Sequence, residues 1–90
     1  MEQMKQVKKY LEYCQFRKEL DQKTLKAYRI DLKQFFLIVQ ESIPGRDEIE
    51  EYITDLHKKY KQKTVKRKLA SVKAYFNYLE DEEVIQKNPF

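Results

Sequence analysis

Apolar residues recur along this chain at spacings of three and four, which is the pattern of helices that bury one face. The clearest stripe lies near the C-terminal end and comprises Val65, Leu69, Val72, Phe76 and Leu79. Strict apolar and polar alternation, the pattern of a half-buried strand, is absent, and the chain has only one Gly and two Pro to form turns. The sequence therefore predicts an all-α protein.

The stripes predict four helices, at residues 4–18, 22–39, 47–60 and 63–82. Asp21 is the predicted N-cap of the second helix, and Asp47 with Glu50 resembles a capping pair that opens the third. Residues 42–45 form the strongest break in the pattern. Because the connections are short, we expect a compact four-helix bundle that forms a single domain over residues 1–90, with residues 84–90 as an exit segment.

Composition narrows the class of protein. Ninety residues suffice for one core, and 41% hydrophobic with 38% charged residues is typical of a folded domain rather than a membrane-embedded one. No apolar run approaches the roughly 18 residues of a membrane-spanning helix, and no signal peptide is evident, so we expect a cytoplasmic protein without membrane contact. The single Cys14 is predicted to be a core residue, and the lone His57 has no evident catalytic or metal-binding partners. No cofactor or metal is expected.

Charge is distributed unevenly along the chain. The formal net charge is +4, and residues 58–73 contain eight Lys or Arg and no acid. Acids concentrate in residues 41–55 and 80–83 instead. The folded domain should therefore have one strongly positive side, which favours a polyanionic partner.

Two helices carry the candidate binding residues. In the fourth helix, a second stripe of Thr64, Arg67, Ser71, Tyr75 and Tyr78 runs beside the apolar one, with Lys66 and Lys73 on the remaining flank. The second helix likewise has Lys23, Lys26 and Lys33 away from its apolar stripe. Two such helices could straddle a duplex, with cations on phosphates and a few side chains at base edges.

Three other interpretations remain open. The basic helices could be solvated faces that maintain solubility, or they could bind an acidic protein or a second protomer as a helical interaction module. A third hypothesis is binding of RNA or a single strand, in which exposed rings stack on unpaired bases. The candidate surface rings are Tyr13, Phe16, Tyr75 and Tyr78.

Three motifs in order resemble a known family. They are KTLKAYRIDLKQF at residues 23–35, KTVKRKLASVKAYFNYL at residues 63–79, and Asn88-Pro89. Together they resemble the N-terminal core-binding domain of tyrosine recombinases, the phage integrase family, and the likeness covers residues 7–89.

The resemblance implies a SAM-like four-helix domain that forms one half of a clamp around recombination-site DNA. In that family the second and fourth helices face double-stranded DNA. Carried over by matched position, the contacts would come from Lys23, Thr24, Lys26, Lys63, Thr64, Arg67 and Ser71. Lys33, Lys66 and Lys73 are added from charge and position alone. We expect most to bind phosphate, with Arg67 and Ser71 reaching into the major groove.

The resemblance also implies what lies elsewhere in such proteins. The nucleophilic tyrosine belongs to a C-terminal catalytic domain, which would follow Phe90, so these 90 residues alone would be a binding module and not an enzyme. That catalytic domain and other recombinase protomers are the implied protein partners. The family tends to have a glycine after the fourth helix, where this chain has four acids at residues 80–83. That run would either extend the helix or fray its end, and should point away from DNA.

Overall fold

The computed structural model describes residues 2–40 and 43–90, which contain four α-helices and no strand. The helices are α1 (Glu2–Phe16), α2 (Gln22–Ile38), α3 (Arg46–Lys59) and α4 (Gln62–Asp81). The predicted all-α class is confirmed, and the predicted helix ends differ from the observed ones by at most two residues. Ser42, at the predicted break, lies outside the described residues. Within the described part of the chain, no helix is both long and apolar enough to cross a bilayer.

A side chain caps the start of α2 but not that of α3. Asp21 caps α2 as predicted, because its Oδ1 accepts a hydrogen bond of 2.8 Å from the Thr24 backbone N–H. The capping pair predicted at Asp47 is wrong. Gly45 is the N-cap of α3 and gives no side-chain bond, and Asp47 lies inside the first turn. There its carboxylate still interacts favourably with the helix dipole.

Helix α4 packs against all three other helices, and α1 also packs on α2. The core combines residues from every helix. Its fully buried members include Val7, Cys14, Leu32, Phe35, Val39, Tyr52, Val65, Val72, Tyr75 and Phe76. Because α4 has neighbours on three sides, its buried arc is wider than one apolar stripe.

Tyr75 shows the effect of this wider arc. The sequence placed it among the surface rings, which is wrong, since it is only 1% exposed. Its ring packs edge-on against Tyr10 at 5.4 Å between centroids and against Phe36 at 6.0 Å. Tyr75 therefore contributes to the core and not to a binding surface.

The acidic run ends α4 and does not extend it. The Val84 N–H donates to the Leu79 carbonyl at 2.9 Å, and the Glu83 N–H donates to the Glu80 carbonyl at 3.0 Å. These two bonds form a Schellman motif, which needs a left-handed residue at the position of Glu83. Glu83 has a φ of 60°, so a glutamate adopts the backbone conformation that glycine usually provides.

The last residues fold back along α4. Ile85 is buried, and the Phe90 ring lies 5.9 Å from the Phe76 ring. The Asn88 side-chain amide donates to the Asn77 side-chain oxygen at 2.7 Å. The predicted exit segment is thus packed against the helix that carries most of the candidate residues.

Candidate nucleic-acid interface

The candidate cations lie on the outer sides of α2 and α4. The exposed ones are Lys23, Lys26, Lys33, Lys63, Lys66, Arg67 and Lys73, whereas Thr24 and Thr64 are partly buried. Lys66 and Lys73 are seven residues apart, which places them two turns apart on one side of α4, and Lys26 and Lys33 have the same spacing on α2. Each helix therefore presents a row of ammonium groups to solvent.

A shallow groove joins the two helices. It encloses about 310 Å³ and is lined by Lys23, Thr24, Arg67 and Ser71, together with Asp21, Ala27 and Tyr28. The fold thus brings together candidate residues that are more than forty positions apart in the sequence. Asp21 is the acid at this groove, and its carboxylate is engaged in capping α2. That hydrogen bond lowers the pKa of Asp21, which stays ionised at neutral pH.

Lys26 belongs to a different part of the surface. It lines a second groove, between α1 and α2, with Lys8, Glu12 and Arg29 among its other lining residues. The candidate set from α2 is therefore divided between two sides of that helix. Of the candidate residues of α2, only Lys23 and Thr24 line the groove shared with α4.

Ser71 lies beneath the surface and not on it. Its relative exposure is 4%, and its hydroxyl donates to Asp31 Oδ2 at 2.8 Å. The sequence-based placement of Ser71 on an open face of α4 is therefore wrong. The physical reason is the packing of α2 against α4, which covers the flank next to the apolar stripe.

A buried carboxylate organises the residues under the groove. Asp31 is 1% exposed, and its Oδ2 accepts from Arg67 Nη1 at 2.7 Å as well as from Ser71. Its Oδ1 accepts from Lys68 Nζ at 3.0 Å, and Lys68 also donates to Gln34 Oε1 at 2.6 Å. One carboxylate against two cations leaves this cluster with one net positive charge. Because Lys68 is buried and the Arg67 side chain is 50% exposed, arginine is the cation that reaches solvent.

Sequence reasoning missed the roles of Asp31, Gln34 and Lys68. One signal was available, since Lys68 follows Val65 by three residues and precedes Val72 by four, which is the spacing of buried positions. A lysine at such a position needs a carboxylate partner. Asp31 stands directly before the core residue Leu32, so it was a possible partner, but no pattern in one sequence links the two.

The remaining rings offer little surface for base stacking. Tyr13 and Tyr78 are partly buried and pack on each other at 4.9 Å between centroids. Phe16 is 70% exposed, but it is at the end of α1. Of the four rings proposed for single-strand binding, only Phe16 is open to a base.

The buried ionisable groups behave as core residues. Burial raises the pKa of Tyr10, Tyr52 and Tyr75 above the ordinary value for tyrosine, so their hydroxyls stay neutral. Burial likewise raises the pKa of the Cys14 thiol, and the residue is 1% exposed. The prediction that Cys14 is a core residue is confirmed.

Comparisons with known proteins agree with this architecture. Residues 7–83 match the family described as phage integrase, N-terminal SAM-like domain. The chain is 51% identical over 87 residues to a tyrosine recombinase of Agathobacter rectalis, an alignment that covers 93% of this chain and 28% of that protein. It is 32% identical over 91 residues to the tyrosine recombinase XerC of Herpetosiphon aurantiacus, with 93% of this chain and 30% of that protein covered. The chain therefore spans less than a third of the length of these relatives. No solved structure gives a significant match.

Proposed function

Because this chain belongs to the phage integrase N-terminal SAM-like domain family, we propose that it binds duplex DNA as the core-binding part of a site-specific tyrosine recombinase. Its task is to hold recombination-site DNA through α2 and α4, without chemistry of its own. DNA integration or recombination would be the activity of the longer protein.

The shared groove between α2 and α4 is the observation that carries this proposal. It places Lys23 and Arg67 on one surface, and the exposed Lys63, Lys66 and Lys73 continue along α4. A row of ammonium and guanidinium groups along α4, with Lys23 of α2 beside it, matches the phosphates of a duplex, which are closely spaced and negative. By contrast, α3 and the end of α2 border a depression lined by Asp47, Glu50, Glu51 and Asp55, among others, so the positive side is not the whole surface.

Binding of this kind should depend little on sequence and strongly on salt. Phosphate contacts by lysine fix register without reading bases. With about six such contacts, the observed affinity should fall roughly a thousandfold when salt rises from about 50 to 200 mM, because each contact releases condensed counterions. The half-exposed Arg67 is the candidate for reaching a base edge as well as phosphate.

The proposal assigns the remaining steps to other parts of the protein. Since the chain covers 28% and 30% of two relatives, we place the catalytic residues outside these 90 residues. A catalytic domain would complete the clamp, and other protomers would complete a synaptic assembly. The proposed substrate is DNA that contains recombination sites. A protein that binds such DNA must be in the compartment that holds it, and we therefore propose a cytoplasmic location.

A salt-dependent titration tests this function. The labelled 90-residue chain is titrated with a short random-sequence duplex at low and raised salt, and its backbone amide resonances are followed. We expect salt-sensitive shifts concentrated at residues 23–33 and 63–73. Single-stranded DNA of the same length should bind more weakly, because few rings are open for stacking.

A matched pair of variants provides the control. Lys66→Ala and Lys58→Ala remove the same charge from exposed positions, but Lys58 lies by the acidic depression near α3. The salt slope is the slope of the logarithm of affinity against the logarithm of salt concentration. Lys66→Ala should weaken binding severalfold and reduce the magnitude of this slope by about one, whereas Lys58→Ala should change neither quantity much. No binding at low salt, or shifts confined to α3, would contradict the proposal and favour a protein-interaction module.

A further inference from the structure

Asp31 lies beneath the groove of the proposed DNA-binding surface, buried itself but bonded to Arg67 and Ser71, which line that groove. An almost fully buried carboxylate is costly to the fold unless cations and hydrogen-bond donors compensate it. Here one hydroxyl, one ammonium and one guanidinium converge on the two carboxylate oxygens. Such a cluster fixes the position of every group that it binds.

The two cationic donors to Asp31, Lys68 and Arg67, differ in how far their charge is exposed to solvent. The Lys68 side chain is 5% exposed, and its Nζ is enclosed by Asp31, Gln34 and the Tyr60 ring, whose centroid lies 5.0 Å away. Its charge is therefore matched by the carboxylate inside the protein. The Arg67 side chain is 50% exposed and lines the groove between α2 and α4.

We propose that Asp31 is a positioning residue for DNA binding, which holds the Arg67 guanidinium at the groove in the orientation that receives a duplex phosphate. This inference rests on the proposed function. The guanidinium has several N–H donors in one plane, so it can keep its bond to Asp31 and still donate to a phosphate. Anchoring the side chain beforehand reduces the rotamer entropy that binding would otherwise remove.

Lys68 explains why the anchor does not cancel the charge. Asp31 with Arg67 alone would be neutral and would attract a phosphate poorly. With Lys68 buried beside the same carboxylate, the cluster keeps one positive charge, and that charge is exposed only through Arg67. The buried lysine thus makes the anchored arginine available to an anion.

The test removes the anchoring carboxylate charge without changing net charge. The double variant Asp31→Asn with Lys68→Met removes one negative and one positive charge from the interior. It is compared with Asp55→Asn with Lys59→Met, which removes the same two charges at the partly exposed ion pair of α3, where Lys59 Nζ lies 3.1 Å from Asp55 Oδ2. Circular dichroism first establishes that both variants are folded at the temperature used.

Duplex affinity and its salt slope are then measured for each variant, with and without Arg67→Ala. The Asp31 and Lys68 double variant should bind about three- to tenfold more weakly than the unmodified chain and show a smaller salt slope, although its net charge is the same. In that background Arg67→Ala should have little further effect. The α3 pair should bind like the unmodified chain and keep the full effect of Arg67→Ala.

The outcomes separate this inference from the proposed function. If the unmodified chain does not bind duplex DNA, the proposed function fails. A second outcome is that the unmodified chain binds, the double variant Asp31→Asn with Lys68→Met (the anchor variant) binds equally well, and Arg67→Ala still has its full effect in that variant. Asp31 then has no positioning role, and only the inference fails. If the anchor variant does not fold, Arg67→Lys decides the question. This variant keeps the charge but lacks the planar fork, so affinity equal to the unmodified chain would overturn the inference.

Discussion

Removing the charge of Asp31 alone should destabilise the fold severely. The variant Asp31→Asn keeps the size of the side chain but leaves Lys68 buried without a counter-charge. Breaking a buried ion pair by removing one partner costs about 3 to 5 kcal/mol, because the remaining charge has lost both water and its partner. Gln34 still accepts from Lys68 at 2.6 Å, and Arg67 is free to turn toward solvent, so we expect the lower end of that range, about 3 kcal/mol.

A loss of this size is a large part of the total stability. A chain of 90 residues has a free energy of unfolding of about 5 to 13 kcal/mol. At this size each 1 kcal/mol lowers the melting temperature by about 4 to 8 °C, so Asp31→Asn should melt roughly 12 to 24 °C below the unmodified chain. Urea unfolding followed by circular dichroism measures the change. The slope of the free energy of unfolding against urea concentration should stay constant if the compactness of the folded and unfolded states is unchanged.

Lys68→Met provides the decisive comparison. Added to Asp31→Asn, it removes the uncompensated charge and leaves an apolar chain of similar length, so at least half of the lost stability should return. Asp55→Asn, which removes a carboxylate from the partly exposed pair on α3, should cost less than about 1 kcal/mol. A loss below about 1 kcal/mol for Asp31→Asn, or no recovery with Lys68→Met, would show that charge pairing is not what the cluster contributes.

Three further predictions concern the core, the end of α4 and the cap of α2. Phe76→Ala should lower the free energy of unfolding by about 3 to 5 kcal/mol in the same urea assay, because the ring is 0% exposed, and a loss under about 1 kcal/mol would refute tight packing there. Glu83→Gly should raise stability by about 1 kcal/mol, because glycine adopts a φ of 60° without strain, whereas Glu83→Ala, which keeps the strain, should not. The hydrogen bond from Thr24 lowers the pKa of Asp21 in the fold, so its contribution should be present above about pH 4 and lost as pH falls through the lower folded value. Asp21→Ala should make the free energy of unfolding depend less on pH below about pH 4. An unchanged pH dependence in that range would contradict the role of Asp21 as the cap.

Periodicity predicted the helices well because each one must bury an apolar stripe. The stripe of Val65, Val72 and Phe76 is buried, as its spacing indicated. The cap at Asp21 was also predictable, since it depends only on residues three apart. In contrast, the start of α3 depends on a backbone cap by Gly45, which provides no side-chain signal.

Position within the bundle could not be predicted in the same way. Periodicity shows that a helix has a buried face but not how many neighbours cover it. Helix α4 packs against three helices, so Ser71 and Tyr75, on the flank of the stripe, are buried too. Leu37 and Tyr60 show the reverse case, since both side chains are exposed although they are apolar or aromatic.

The same packing changes how the basic stretch should be interpreted. Residues 58–73 contain eight cations, but their charge is not all available to a ligand. Lys68 is buried against Asp31, and Lys59 pairs with Asp55. Counting lysines therefore overestimates the number of phosphate contacts that this stretch can make. The salt slope measures that number directly, because it depends on contacts made and not on charges present. In the arrangement that we propose, Asp31 orients Arg67 and buries Lys68, so the domain has one fewer cation for phosphate and a defined geometry at the groove.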